Sequence, residues 1–254
     1  MPQYSFGSGD LYGVPLVDAD GAAIANPTPI KFGTLQDVGV DFTRSIKELF
    51  GQKQFAVAIG AGTCKISGKS KFAKINGLLL NNIFFGQTLS ASAVPNVMND
   101  SAQTIPATPY QITVAPPNSG VFTRDLGVVY SATGIPLTAV ASAPSTGQYS
   151  VSTVGLYTFA AADTTLGVLI SYEYTESAGR KIVIANKQLG YVPTFRAEMS
   201  APYKGKKLVL ALHSCVATKL AFATKQEDFM MPDLDFVAQA DDADNVATLS
   251  VSDL

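Results

Sequence analysis

The sequence has few of the residues on which most enzymes and metal proteins depend. Its 254 residues contain no tryptophan, one histidine and two cysteines, and only 15% are charged. A zinc site takes three or four Cys, His or carboxylate ligands, which one histidine and two distant cysteines do not provide. The chain has no G-x-S-x-G elbow, no G-x-x-x-x-G-K-S/T loop and no G-x-G-x-x-G loop. We therefore expect no catalytic residues, no metal and no cofactor, and we predict that the protein is not an enzyme.

The histidine and the cysteines have predicted structural roles. His213 lies in KKLVLALHSCVA, which alternates like a strand. Consecutive strand residues point to opposite faces, so we expect the His213 side chain to meet neither Ser214 nor Cys215 and to lack catalytic partners. Cys64 and Cys215 lie in predicted strands among apolar residues, where we expect both to be buried free thiols.

Charge is scarce, and the formal net charge is −2. No basic tract marks a surface that binds nucleic acid. The nearest candidate, KISGKSKFAK (65–74), favours a solvated strand edge that leads into a helix, and an anionic partner is the alternative. A surface with so little charge is typical of a protein that covers much of itself with partners.

No segment predicts a membrane or a secretory route. The first residues, MPQYSFGSGDLYG, have neither a basic stretch nor a long apolar one, which argues against a signal peptide. The most apolar helical stretch, LLLNNIFF (78–85), is far too short to span a bilayer. We expect a soluble protein that is made in a cytosol and has no membrane partner.

Two strands and one helix are the clearest elements in the first third of the chain. The first strand is TLQDVGVDFTRSI (34–46), whose inward residues are Leu35, Val38, Val40, Phe42 and, after a slip, Ile46. The second strand region is 55–71, where Gly60 and Gly62 permit a bulge. The predicted helix covers about 70–85, with Ser70 as its cap and Gly86 at its end. Its apolar face consists of Phe72, Ile75, Leu79 and Ile83.

The pattern changes at residues 109–176. Six short strand-like runs alternate there with Gly, Pro, Asp and Ser, which is typical of a small β-sandwich or barrel. Longer strands return after residue 180, and the acidic turn ADDADNV (240–246) predicts a hairpin at the end of the chain. We predict a discontinuous core domain, 1–108 and 177–254, with a β module inserted at 109–176.

Two parts of the predicted core domain show little pattern. Residues 1–33 are rich in Gly, Pro, Ala and Asp, and we expect an irregular N-terminal arm. Residues 87–108 are mostly Ser, Ala, Pro and Asn, and we expect a loop. A loop of this length is often functional or disordered.

Four stretches together resemble the major tail tube proteins of long-tailed bacteriophages. They are FGTLQDVGVDF through KELFGQKQFAVA, then KISGKSKFAKINGLLLNNIFFG, then DLGVVYSATGIPLTAVASAPSTGQYSVSTVGLYTFAAAD, and finally FMMPDLDFVAQADDADNVATLSVSD. The third looks like an Ig-like β module that recurs in phage structural proteins. The fourth is similar to tube-protein C-termini that run strand, acidic turn, strand. The resemblance covers about 34–86 and 109–254.

The resemblance implies a mainly β fold: a tail-tube-like β-sandwich or barrel with one flanking α-helix and an inserted small β-sandwich. It also implies a structural virion protein of the viral tail, whose hexameric rings stack into a tube for DNA ejection. The implied partners are copies of the same chain and other phage tail proteins: tape measure, terminator and distal tail proteins. Genomic DNA would pass through the lumen without specific binding, and assembly would take place in the cytoplasm of the bacterial host.

The segment 87–108 contains too many large apolar residues for a purely solvated linker. In an assembled tube we expect it, with the N-terminal arm, to become ordered against a neighbouring ring, because partner surface compensates the lost chain entropy. The candidate contacts between rings are Val94, Val97, Met98 and Ile105.

Two other functions stay open at this point. The chain could be a capsid decoration protein or a minor tail component that carries the same β module. It could also be a β protein that binds carbohydrate or a cell surface. Tubes or six-fold rings of the purified protein would favour the tube subunit, and monomers or trimers would favour the first alternative. Glycan binding would support the second alternative.

Overall fold

The structure is a computed structural model, and it describes residues 7–74 and 76–252. Within these residues the chain forms seventeen strands. They are β1 (Asp10–Val17), β2 (Ile30–Lys31), β3 (Leu35–Phe50), β4 (Ala56–Phe72), β5 (Leu89–Ala93), β6 (Asn96–Val97), β7 (Gln103–Thr104), β8 (Gln111–Thr113), β9 (Val121–Tyr130), β10 (Thr138–Ala139), β11 (Gln148–Val151), β12 (Leu156–Phe159), β13 (Gly167–Ile182), β14 (Thr194–Tyr203), β15 (Lys206–Ala221), β16 (Asp233–Gln239) and β17 (Ala247–Val251).

Helical structure is short. One α-helix, α1 (Gly77–Leu80), continues directly into a π-helical turn (Asn81–Phe85), and two 3₁₀ turns occur at Pro117–Ser119 and Ala161–Asp163. The prediction of a mainly β protein with one helix is therefore confirmed.

The chain divides into two compact units. The core unit combines Met1–Thr88 with Ile182–Leu254, and the inserted unit is Leu89–Lys181. The predicted module, 109–176, is shorter than the inserted unit at both ends. The boundary differs because β5, β6 and β7, which lie in the predicted loop 87–108, pair with β13 of the inserted unit.

The core unit is built on one eight-stranded antiparallel sheet. Its strand order is β2-β1-β14-β15-β16-β4-β3, and β17 also pairs with β15. The predicted irregular arm is wrong for part of 1–33, because β1 pairs with β14 from Asp10↔Ser200 to Val17↔Thr194. Pairing with a strand far along the chain supplies backbone partners that the local sequence does not reveal.

The sheet curls so that strands near its two ends approach each other. The Ser8 hydroxyl, just before β1, donates to the Leu35 carbonyl oxygen at the start of β3 over 2.8 Å. Leu11, Val40 and Phe236 line the same small interior space. The buried side chains of this core are Leu11, Ile30, Phe32, Phe72, Leu79, Leu80, Ile83, Phe195, Ala197, Leu210, Leu212, Cys215, Leu234 and Phe236.

The helix is shorter than predicted and starts later. β4 continues through Ser70 to Phe72, because its residues pair with β16, so Ser70 is not a helix cap. The cap is Asn76, whose side-chain oxygen accepts from the Leu78 N–H over 3.0 Å. Gly86 ends the helical segment in the left-handed conformation with φ 58°, as predicted. The predicted face residues Leu79 and Ile83 are buried, whereas Ile75 lies outside the described residues.

The chain does not end in the predicted hairpin. β16 pairs with β15 between Ser214 and Ala221, and β17 pairs with the same side of β15 between Leu208 and Leu212. The two strands therefore follow one another along β15 instead of pairing with each other. Residues 240–246 form a bulged loop between them.

The inserted unit is a sandwich of two sheets. The order in one is β10-β11-β12-β8, and in the other β13 pairs with β5, β6, β7 and β9. Its buried side chains are Ile105, Ile112, Val114, Phe122, Val128, Leu137, Tyr149, Tyr157, Phe159, Val168, Ile170, Tyr172 and Tyr174. Asp125 ties this core together, since its carboxylate accepts from the Tyr149 hydroxyl over 2.5 Å and from the Tyr157 hydroxyl over 2.8 Å. Burial and these hydrogen bonds raise the pKa of both phenols.

Candidate assembly surface

A long β-hairpin extends beyond the sheet of the core unit. β3 and β4 pair from Leu35↔Phe72 to Phe50↔Ala56, but β16 accompanies β4 only along Ile66–Lys71. Residues 43–65, which we name the hairpin tip, therefore form a ribbon of two strands. A two-stranded ribbon is only marginally stable by itself in water, and the hairpin tip is supported by the sheet at one end only.

The hairpin tip carries a bulge that a glycine makes possible. The register shifts between Arg44 and Ile46, where β4 contains one residue more than β3. A Cβ atom at Gly62 would lie 2.3 Å from the Ser45 hydroxyl, so only glycine fits without displacement. The Ser45 hydroxyl also lies 3.1 Å from the Thr63 hydroxyl. The predicted bulge in this strand is confirmed at Gly62.

The hairpin tip extends the apolar inner face of the sheet into solvent. By strand alternation Val38, Val40, Phe42, Ile46 and Phe50 lie on one face of β3, with Arg44 and Glu48 between them. Val38 and Val40 pack against the core, whereas Phe42, Ile46 and Phe50 are 61%, 56% and 57% exposed. The face therefore combines three exposed apolar side chains with two charged ones. Exposed apolar surface next to polar residues is typical of an interaction site.

Unpaired strand edges accompany the apolar face. Within residues 7–74 and 76–252, no strand pairs with the outer edge of β3 or with β4 between Ala56 and Lys65. Exposed edges offer backbone N–H and C=O groups to a strand of another chain, and proteins normally protect such edges. The hairpin tip therefore combines two features of an assembly surface.

A cavity lies where the hairpin leaves the sheet. Its volume is about 610 Å³, and Phe42, Ile66 and Val246 contribute apolar surface to it. Arg44 and Lys65 contribute basic groups, and Cys64 also lines the cavity. We name this space the junction cavity.

The four predicted contacts between rings have different environments. Met98 is 64% exposed and Val94 39% exposed, so both are accessible. Val97 packs against the core of the inserted unit, and Ile105 is fully buried within it. The prediction is therefore wrong for Ile105, since the short strands β6 and β7 hold this segment against β13.

His213 has partners that sequence reasoning missed. Its Nε2 atom lies 2.8 Å from the Thr248 hydroxyl, and its Nδ1 atom lies 3.5 Å from an Asp241 carboxylate oxygen. These contacts form because β17 and the bulged loop 240–246 both lie beside β15. These contacts link three segments of the core unit: β15, the loop and β17.

The two cysteines differ in exposure. Cys215 is buried as predicted, and burial raises the pKa of its thiol to about 12. Cys64 is exposed, contrary to the prediction, because its part of β4 has no neighbour other than β3. The Arg44 Nε atom donates to the Cys64 sulfur over 3.3 Å.

No family model matches the chain, and no curated protein matches it. Among the residues that the structure describes, no three His, Cys, Asp or Glu side chains are grouped so that they could hold a metal ion. The same residues include no helix that is long and apolar enough to cross a membrane.

Proposed function

We propose that this protein is a structural subunit that assembles with copies of itself, and that the assembly is the tail tube of a long-tailed bacteriophage. The observation that carries the proposal is the hairpin tip. It presents Ile46 and Phe50 to solvent and continues the face of Phe42 at its base, and among the described residues only its own two strands lie along it. Burial of such side chains against a second copy would stabilise the ribbon and supply the free energy of association.

Strand pairing between copies is a second source of stability. The free edge of β3 is sixteen residues long, and an arrangement in which copies join edge to edge leaves few edges exposed. A closed ring has no terminal subunit, so it is the simplest arrangement that uses every edge. Hexameric rings that stack into a tube are the form that the family resemblance implies.

The charge of the chain is compatible with a DNA conduit. Its formal net charge is −2, and a strongly basic wall would retain DNA through its phosphates. The same proposal includes genomic DNA that passes through the lumen without specific binding. It also includes other phage tail proteins as partners: tape measure, terminator and distal tail proteins. Location in the virion tail after assembly in the host cytoplasm is part of it as well.

Negative-stain electron microscopy of the purified full chain tests the proposal. We expect six-fold rings and tubes whose abundance rises with protein concentration. Sedimentation velocity on the same samples should show an increasing share of large species. A chain that stays monomeric or trimeric across the concentration series would contradict the tube and favour a decoration or minor tail protein.

A further inference from the structure

The junction cavity has a basic rim with no acidic partner of its own. Among the described residues, neither Arg44 nor Lys65 forms an ion pair. The nearby Asp241 carboxylate accepts from the Ala243 and Asn245 N–H groups of its own loop. Its other oxygen lies 3.5 Å from His213 Nδ1, so both Asp241 oxygens already have partners in the core unit. The cavity is therefore suited to an apolar group that carries negative charge beside it.

The loop between β15 and β16 offers a group of this kind. Its sequence at 222–232 is FATKQEDFMMP, and residues 222–229 are all exposed. Phe229 is 86% exposed, directly after Glu227 and Asp228. Among the described residues, neither acid forms an ion pair. Lys225 is the one basic residue in the loop.

The loop and the cavity lie at opposite ends of one strand. β16 begins at Asp233, directly after the loop, and its last residues, Ala238 and Gln239, line the cavity. Seven residues of extended strand separate the two sites by roughly 20 Å. The loop of one copy therefore does not reach its own cavity, but it can reach the cavity of another copy.

We propose that Phe229 of one copy inserts into the junction cavity of the next copy, with Glu227 and Asp228 beside Arg44 and Lys65. This inference rests on the proposed self-assembly and names a contact that would drive it. Because the two surfaces differ and lie at opposite ends of β16, the contact is head-to-tail and repeats from copy to copy. It buries an exposed aromatic side chain, which is the typical centre of a stable interface.

Charge reversal with rescue is the first test. We expect the pair Arg44→Glu and Lys65→Glu to abolish assembly, and the pair Glu227→Lys and Asp228→Lys to do the same. The chain with all four changes restores opposite charges across the contact, so it should assemble again. Failure of the fourfold variant to recover, although its thermal unfolding matches the wild type, would overturn the inference.

Removal of the aromatic ring is the second test. Phe229→Ser should raise the concentration needed for assembly by about 30-fold or more, the effect of losing a central aromatic contact. Leu189→Ser is the matched control, since Leu189 is 97% exposed in another loop of the core unit. Equal effects of the two substitutions would overturn the inference.

A peptide tests the contact separately from assembly. Cys64 lines the cavity and is exposed, so a thiol reagent such as DTNB reports whether the cavity is filled. We expect the peptide FATKQEDFMMP to slow labelling of the unassembled chain in a saturable way. The control peptide, FATKQEDSMMP, has serine in place of Phe229 and should not slow labelling. Absence of protection by the first peptide would contradict the contact.

The outcomes separate the inference from the proposed function. If the wild type forms tubes while Phe229→Ser and both charge-reversal pairs assemble like it, the contact is wrong and the proposed function stands. If the wild type never assembles, the proposed function fails, and the peptide measurement alone decides whether the cavity binds this segment.

Discussion

The two units of this chain differ in how far they bury their apolar side chains. In the inserted unit, two sheets cover each other, and large apolar residues that stay exposed, such as Val121, Ile135 and Val154, are far apart in the sequence. In the core unit, the face that carries Val40 and Phe42 continues into the hairpin tip, where Ile46 and Phe50 are exposed. The two sheets of a sandwich cover each other's apolar faces, whereas a two-stranded ribbon leaves its faces and edges exposed.

Because the core of the inserted unit is buried between its two sheets, we expect a substitution at Asp125 to have the largest effect on stability. Asp125→Ala leaves the Tyr149 and Tyr157 hydroxyls without their acceptor in a buried site. We expect a loss of about 2–4 kcal/mol in the free energy of unfolding, since each buried unsatisfied group costs roughly 1–3 kcal/mol and water replaces part of the carboxylate. Urea unfolding of the full chain, followed by tyrosine fluorescence, measures this loss.

Asp125→Asn is the control for that prediction, because an amide oxygen still accepts from one hydroxyl. It should cost clearly less than the alanine substitution. If the two variants unfold at the same urea concentration, the hydrogen bonds of Asp125 do not hold the inserted unit together. Neither variant should change assembly, because Asp125 contributes nothing to the hairpin tip.

Because the hairpin tip is a ribbon of only two strands, we expect a substitution at Gly62 to have a smaller effect that is confined to the hairpin. Gly62→Ala places a methyl group against Ser45, so we expect about 1–3 kcal/mol of strain that the hairpin tip relieves by opening. Gly60→Ala is the matched control, since the nearest atom to a Cβ there is the Lys47 carbonyl oxygen at 3.9 Å. Hydrogen exchange should become faster in residues 43–65 of the first variant only. Equal exchange in the two variants would mean that the bulge does not shape the hairpin tip.

We expect the smallest effect in the bulged loop 240–246, where the local structure should depend on pH. Hydrogen bonds from the Asn245 and Ala243 N–H groups, together with the charge of His213, hold the pKa of Asp241 below its usual range. A lowered folded-state pKa contributes stability above the ordinary carboxyl pKa, and this stability is lost as pH falls through the lowered value.

We therefore expect the Ala243 and Asn245 amide resonances to move as pH falls below about 4, with little change in global unfolding. NMR spectra of the wild type and of Asp241→Asn provide the measurement. The substituted chain should show no such step. A step of the same size in both would assign the titration to another group.

The sequence predicts the strands and turns that depend on local residue patterns. It does not predict the contacts between segments that are distant in the chain. The inward residues Val38 and Val40 are predicted correctly, because a strand with one buried face alternates with period two. The same prediction is wrong for Phe42 and Ile46, which are 61% and 56% exposed because the strand continues beyond the core. The end of the helix at Gly86 was readable for a similar reason, because glycine favours the left-handed conformation there. Nothing in the sequence shows that β16 stops accompanying β4 at Ile66, and this stop is what exposes the hairpin tip.

The errors have a common physical cause. Ser70 looked like a helix cap, but pairing with Leu234 of β16 keeps it in a strand. Residues 87–108 looked unpatterned, but β13 supplies the neighbour for their short strands. His213 looked isolated, because Asp241 and Thr248 meet it only through the bulged loop and β17. Each of these contacts joins segments that are distant in the chain.

Sedimentation velocity of Ile46→Lys and Ile135→Lys tests the central claim most directly. Both changes place a lysine at an isoleucine of nearly equal exposure, 56% and 59%, one on the hairpin tip and one in the inserted unit. We predict that Ile46→Lys stays unassembled at concentrations where the wild type forms rings, although its thermal unfolding is unchanged, and that Ile135→Lys assembles like the wild type. Normal assembly of both variants, or its loss in both, would contradict the claim that the hairpin tip is the assembly surface.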